Sequence, residues 1–168
     1  HKYGGTSLAS LARIKNVAER VAKWRDSVPE IVVVVSAMAG ETNRLIDMGK
    51  SLSDNPNQRA MDQVVASGEQ ASAGLLTIAL IDLGYDAISY CGWQVRVITD
   101  GNHGKARILT IENNQLEEDL GKGRIVVVTG FQGVTEKSEA ISTLGRGGSD
   151  TSAVALAASL EADECLIY

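Results

Sequence analysis

Four short segments of the chain collect residue types suited to holding anions and a small zwitterion. The first is Lys2-Tyr3-Gly4-Gly5-Thr6-Ser7, a cation followed by two residues without Cβ and two hydroxyls. Glycines let backbone N–H groups approach an anion closely and the lysine adds a point charge, so the segment is composed like a phosphate cradle. It matches no Walker A pattern, and a tight turn with an exposed lysine is the plainer alternative. The second, Ser36-Ala37-Met38-Ala39-Gly40-Glu41-Thr42-Asn43, follows a β-branched run and opens a helical pattern. Its small side chains admit a ligand to the helix start, where Ser36 and Thr42 can hydrogen-bond to it; Thr42 as a simple cap residue is the alternative. The third, Ala66-Ser67-Gly68-Glu69-Gln70, sets a carboxylate beside a glycine at what reads as the start of a small-residue helical run. A Glu in a first helical turn usually compensates the helix dipole, so Glu69 gains a role only through its company.

The fourth segment, Thr143-Leu144-Gly145-Arg146-Gly147-Gly148-Ser149-Asp150-Thr151-Ser152, is the richest. Three glycines supply backbone donors, Arg146 a bidentate fork for an anion, and Ser149-Asp150 a helix start with a carboxylate. The spacing misses the dinucleotide pattern, with Asp150 where its last glycine would stand, and no strand is predicted directly ahead of it. A glycine-rich loop with an N-cap is the alternative. Neither histidine of the chain, His1 or His103, falls in these four segments, and His103 reads as a loop residue.

Positioning such segments is the work of the elements between them. Apolar residues at Leu11, Ile14, Val17, Ala18, Val21 and Ala22 recur at three- and four-residue intervals, which predicts an amphipathic helix to Trp24 with Ser10 as N-cap. Ile31 to Val35 is an unbroken β-branched run, the mark of a strand covered on both faces. Further helices are predicted around 41–51, 59–83, 113–120 and 149–160. Strands are predicted at 87–90, 94–99, 107–110, 125–129 and 164–168. Alternation of this kind specifies an α/β domain with a largely parallel sheet, in which ligands collect beyond the carboxyl ends of the strands.

Composition narrows the partners. With 44% hydrophobic, 22% charged and 4% aromatic residues, the 168-residue chain suits one compact domain with an aliphatic core. A net charge of −5 disfavours a nucleic-acid partner, which requires a basic face. The longest apolar stretch, Ile31 to Val35 with its flanks, falls far short of the roughly 20 residues of a membrane span, and no secretory pattern opens the chain, so the expected location is the cytoplasm. Cys91 and Cys165 lack partners at ligand spacing and read as reduced packing residues, with no metal framework. The first motif begins without a leading strand and the chain stops in an apolar run, so a segment of a longer protein is expected.

Taken in order, the four segments resemble the signature of the aspartate kinases within the amino acid kinase family, and the likeness extends over essentially the whole chain. Gly145 to Thr151 carries its most specific stretch, while Gly92-Trp93-Gln94, Thr99-Asp100, Ala106-Arg107-Ile108 and Val128 to Gly133 match shorter pieces. The resemblance implies a three-layer α/β/α sandwich and transfer of the γ-phosphoryl group of ATP, carried with Mg²⁺, to the side-chain carboxylate of L-aspartate. It also implies roles: Lys2 on the transferring phosphates with Asp150 orienting it, and Gly4, Gly5, Thr6, Ser36, Gly147 and Gly148 along the nucleotide. Thr42, Glu69, Arg146 and Ser149 would hold aspartate. Residues 1–168 would be most of the catalytic domain, with adenine contacts after Tyr168 and regulatory ACT domains outside it. A homo-oligomer or an assembly with those domains is expected. Tyr3 stands where the family commonly has Phe. A kinase for glutamate or N-acetylglutamate, or a non-catalytic sensing module, are the rival readings.

That reaction suits a site without histidine. A carboxylate acceptor with a pKa of about 3.9 is already ionised at neutral pH, so the site needs charge neutralisation and alignment rather than a base.

Overall fold

The computed structural model describes residues 1–145 and 147–168. Two strand-rich layers organise them. The first is a fully parallel sheet in the order β1-β2-β6-β3, built from β1 (Lys2–Tyr3), β2 (Ile31–Val35), β3 (Ala87–Tyr90) and β6 (Ile125–Thr129). Its register pairs Lys2 with Val34, Val33 with Val127 and Ala87 with Ile125. Successive side chains of a strand point to opposite faces, and here both faces are covered. Ile31, Val33, Val35, Ile125 and Val127 pack with α1 (Leu11–Arg25) and α3 (Gln58–Asp82), whereas Val34, Val126 and Val128 pack with Leu116 and Leu120 of α4 (Asn114–Gly121) and with Ala153 and Leu156 of α5 (Gly148–Ser159). This is the three-layer α/β/α arrangement expected.

The local signals behind these elements are visible. Ser10 caps α1 by accepting from the Arg13 N–H at 3.3 Å, and the helix buries Ile14, Val17, Ala18, Val21 and Ala22. Asn57 does the same for α3, accepting from Ala60 N–H at 3.1 Å. By length and composition α3 is apolar enough to cross a bilayer, unlike the short run at β2. Half of its apolar window is buried, and its inward face, which carries Asp62 and Glu69, packs on α1, α2 (Glu41–Leu52) and both sheets.

A second sheet, β5-β4-β7-β8, is mixed rather than parallel. It joins β4 (Val97–Thr99), β5 (Ile108–Ile111), β7 (Gln132–Thr135) and β8 (Ile141–Thr143), with only the β4–β7 pair parallel. Three details depart from the expectations. The strand predicted from residue 94 starts at Val97, because Cys91–Arg96 turns, with Arg96 at φ 45°. The glycine-rich loop does follow a strand, β8. The run at 164–168 makes a single parallel bridge, Lys2 with Ile167, instead of a full strand.

Candidate active site

β1, β2 and β6 deliver their carboxyl ends to one rim of the parallel sheet, and a cleft of about 320 Å³ opens there. Lys2 reaches it from inside the sheet. Its backbone pairs with Val34, the residue is 8% exposed, and its Nζ lies 2.6 Å from Asp150 Oδ1 in the first turn of α5. A lysine so fixed is held by a carboxylate that remains half-exposed, which leaves its ammonium free to share charge with an incoming anion.

Two helix starts face the same space. α2 begins after Gly40 at φ 80° and α5 after Gly147 at φ 78°, and neither has a side-chain cap. The left-handed backbone at these positions favours glycine, and an uncapped first turn presents N–H donors and the positive end of the helix dipole to a ligand. Close approach is built in elsewhere: a Cβ on Gly130 would stand 2.8 Å from Ser149 Cβ, and one on Gly68 would stand 2.9 Å from Ala37 Cβ. These glycines let β6 meet α5, and α3 meet the loop after β2.

Glu69 lies in the middle of α3 and not in a first turn, so dipole compensation does not account for it. It is 2% exposed; Oε1 accepts from the Ala37 N–H at 3.1 Å, and Oε2 has no partner among the described residues. Burial pushes its carboxyl up to about 7, against the opposing pull of the Ala37 N–H. A buried carboxylate with one orphan oxygen lining a cleft is set up to receive a cation or an N–H donor from a ligand.

The cleft therefore gathers Lys2, Gly5, Ser36, Thr42, Glu69, Gly147, Gly148, Ser149 and Asp150, which four separate sequence segments had singled out. Gly4 and Thr6 are not part of its lining; the Gly4 N–H donates to Tyr168 O at 3.1 Å. Arg146 lies outside the described residues. The lining also includes Phe131, which the sequence reading gave no role. Phe131 sits at φ 66°, an uncommon conformation for a residue with a Cβ, with its N–H on Ser152 Oγ at 3.0 Å and its carbonyl accepting from Leu144 N–H at 2.9 Å. Its place directly beyond a buried strand was the signal available.

An α/β sandwich with a carboxylate-paired lysine, two glycine-led helix starts and a buried carboxylate in one cleft has the residue types of a small-molecule site suited to an anion such as phosphate. The sequence profile of the amino acid kinase family matches residues 1–168, and the chain belongs to that family. It is 58% identical over 167 residues to the aspartate kinase of Stutzerimonas stutzeri (strain A1501), a match that takes in 99% of this chain and 40% of the relative. Among solved structures, the aspartate kinase from Synechocystis superposes with a TM-score of 0.84 at 45% identity, covering 99% of this chain and 27% of that one. E. coli aspartokinase III in complex with aspartate and ADP superposes with a TM-score of 0.85 at 25% identity, covering 99% and 48%. The chain thus spans about 40% of the length of the curated relatives it matches.

Proposed function

We propose that this chain forms the phosphate- and aspartate-holding part of an aspartate kinase, which transfers the γ-phosphoryl group of ATP to the side-chain carboxylate of L-aspartate and releases ADP. The observation that carries the reading is the joining, in one cleft, of the Lys2–Asp150 pair with the buried, half-satisfied Glu69. The lysine and the glycine-led helix starts suit a polyphosphate and the buried carboxylate an ammonium group, which is the pairing this reaction requires. The likeness to aspartate kinases over 99% of the chain supports the same choice of substrate.

In this reading Lys2, oriented by Asp150, meets the transferring phosphates. Of the residues expected on the nucleotide side, Gly5, Ser36, Gly147 and Gly148 line the cleft, whereas Gly4 and Thr6 do not. Glu69 takes the α-ammonium of aspartate, Arg146 its α-carboxylate, and Thr42 and Ser149 complete the hold. The acceptor carboxylate is thereby left to face the γ-phosphorus. Lys2 and the helix starts offset charge on the equatorial oxygens as it redistributes in the transition state. Mg²⁺ enters as part of the substrate, bound mainly by triphosphate oxygens. We place the enzyme in the cytoplasm at the first step of lysine, threonine and methionine biosynthesis, in a homo-oligomer or with ACT domains that adjoin this catalytic segment.

A coupled ADP-release assay on the full-length protein, run with aspartate, glutamate and N-acetylglutamate, tests this. Turnover with aspartate is the expected result. Preference for another amino acid would reassign the substrate, and nucleotide binding without turnover would make the segment a sensor.

A further inference from the structure

α3 carries a second buried carboxylate on the face that holds Glu69. Asp62 stands seven residues earlier, two helical turns away, and is 1% exposed. It lies outside the cleft lining, yet its two oxygens gather donors from two other regions of the chain. Thr143 Oγ1–H donates to Oδ1 at 2.6 Å, Gly104 N–H lies 3.0 Å from Oδ1 and 3.2 Å from Oδ2, and His103 Nδ1 lies 2.6 Å from Oδ2. The last of these contacts pairs the His103 imidazole with the Asp62 carboxyl group.

These donors share a destination. Thr143 ends β8 and opens the glycine-rich loop whose far end, Gly147 to Asp150, lines the cleft. Its carbonyl accepts from Ala106 N–H at 2.9 Å, so Thr143 and the 101–107 loop are also tied to each other. The carbonyl of Gly104 packs beneath Gly145, where a Cβ would come within 3.3 Å of it. Asp62 thus grips the start of the glycine-rich loop directly through Thr143 and indirectly through Gly104. Leu144, next to Thr143, is tied separately by its N–H to Phe131 O at 2.9 Å, and the Phe131 N–H on Ser152 Oγ links that point to α5.

We infer that Asp62 is a positioning residue: through its bonds to Thr143, Gly104 and His103 it sets the glycine-rich loop at a fixed height above α3, and so aligns that loop with Glu69 on the same helix face. The inference rests on the proposed reading of the cleft as the phosphoryl-transfer site. Two groups that must meet one substrate are then referenced to a single rigid element, the kind of support that holds reacting groups within a fraction of an ångström.

The test uses the full-length protein with Thr143→Val, Thr143→Ser and Asp62→Asn. Valine matches threonine in shape but lacks the hydroxyl; serine keeps it. Misalignment of a loop by about 1 Å costs rate more than binding, so Thr143→Val is expected to lower kcat about tenfold or more with both KM values within about threefold, and Thr143→Ser to restore most of it. Asp62→Asn, which keeps one acceptor oxygen, is expected to fall between them. Hydrogen exchange supplies a readout independent of turnover: amides in 141–150 should exchange about tenfold faster in the valine variant, with 153–159 unchanged. Valine and serine variants with equal kcat, or unaltered exchange in 141–150, would overturn the positioning role. If the wild-type protein phosphorylates no aspartate, the functional reading fails on its own, and the exchange comparison still decides whether Asp62 holds the loop.

Discussion

Glu69→Gln isolates the cost of keeping a charge in the wall of the cleft. In the folded protein the Glu69 carboxyl is pushed up to about 7 by burial, from an ordinary value of 4.5. A native state that holds this proton more tightly than the unfolded chain loses stability as pH rises from the unfolded value through the native one. The full loss, reached above pH 7, is about 3 kcal/mol by linkage from that shift. Gln keeps an oxygen for the Ala37 N–H, which now donates to Oε1 at 3.1 Å, and removes the charge. The full-length variant should therefore match wild type in stability near pH 4.5 and exceed it at pH 8, by about 1 to 3 kcal/mol. Urea unfolding at pH 5, 6, 7 and 8, with the m-value checked for constancy, measures the difference. The same charge serves binding, because only ionised Glu69 pairs with an ammonium, so the KM for aspartate should rise toward tenfold per unit as pH falls below about 7 in wild type. Gln should show a high and pH-flat KM. Parallel stability curves for the two proteins from pH 5 to 8 would refute the argument, since they would mean that Glu69 is ionised in the fold at no cost.

Three further outcomes follow from particular contacts. Lys2→Ala in the full-length protein should lower kcat by about a hundredfold or more while leaving aspartate KM within a few-fold, because the lysine's charge is worth most as phosphoryl oxygens change charge; single-turnover and steady-state kinetics check it, and unchanged turnover would contradict it. Gly130→Ala should reduce kcat sharply with a modest loss of stability, since its Cβ would press on Ser149 Cβ at 2.8 Å and Cα at 3.0 Å and push the start of α5 out of place; kinetics beside a melting curve separate the two effects. Leu80→Ala, deep between α3 and the parallel sheet at 0% exposure, should cost about 2 to 5 kcal/mol in urea unfolding with substrate KM values unaltered in the folded enzyme.

How much of this could be read beforehand depended on how far each element's signal is local. β2 and β6 were legible because strands covered on both faces are written as unbroken runs, Ile31 to Val35 and Ile125 to Thr129. α1 was legible through its 3.6-residue stripe and Ser10. β1 escaped because two residues, one of them a lysine, carry no strand pattern; Lys2 and Tyr3 are a strand only by pairing with Val34 and Val35. The hairpin of β7 and β8 escaped for the same reason, since Gln132-Gly133-Val134-Thr135 and Ile141-Ser142-Thr143 bury polar side chains that only tertiary partners satisfy. Ser142, for instance, shares a hydrogen bond with Thr99 at 2.7 Å.

The site divides along the same line. Glycines, a lysine and hydroxyls at loop positions announced Lys2, Ser36, Thr42 and the Gly147–Asp150 turn, because helix starts and close backbone approach restrict residue type locally. Glu69 was noticed for its neighbours and placed in the wrong part of its helix; what makes it reactive is the depth of α3 in the sandwich, which no short window reveals. Asp62 went unremarked and His103 was read only as a loop residue, because the two are 41 residues apart in the chain and only the packing of the second sheet on α3 brings them within 2.6 Å of each other. A buried carboxylate is costly unless donors meet it, so each one inside this helix marks a place where the fold is bound to something else: Asp62 to the loop that shapes the cleft, and Glu69, with Oε2 unmet among the described residues, to whatever enters it.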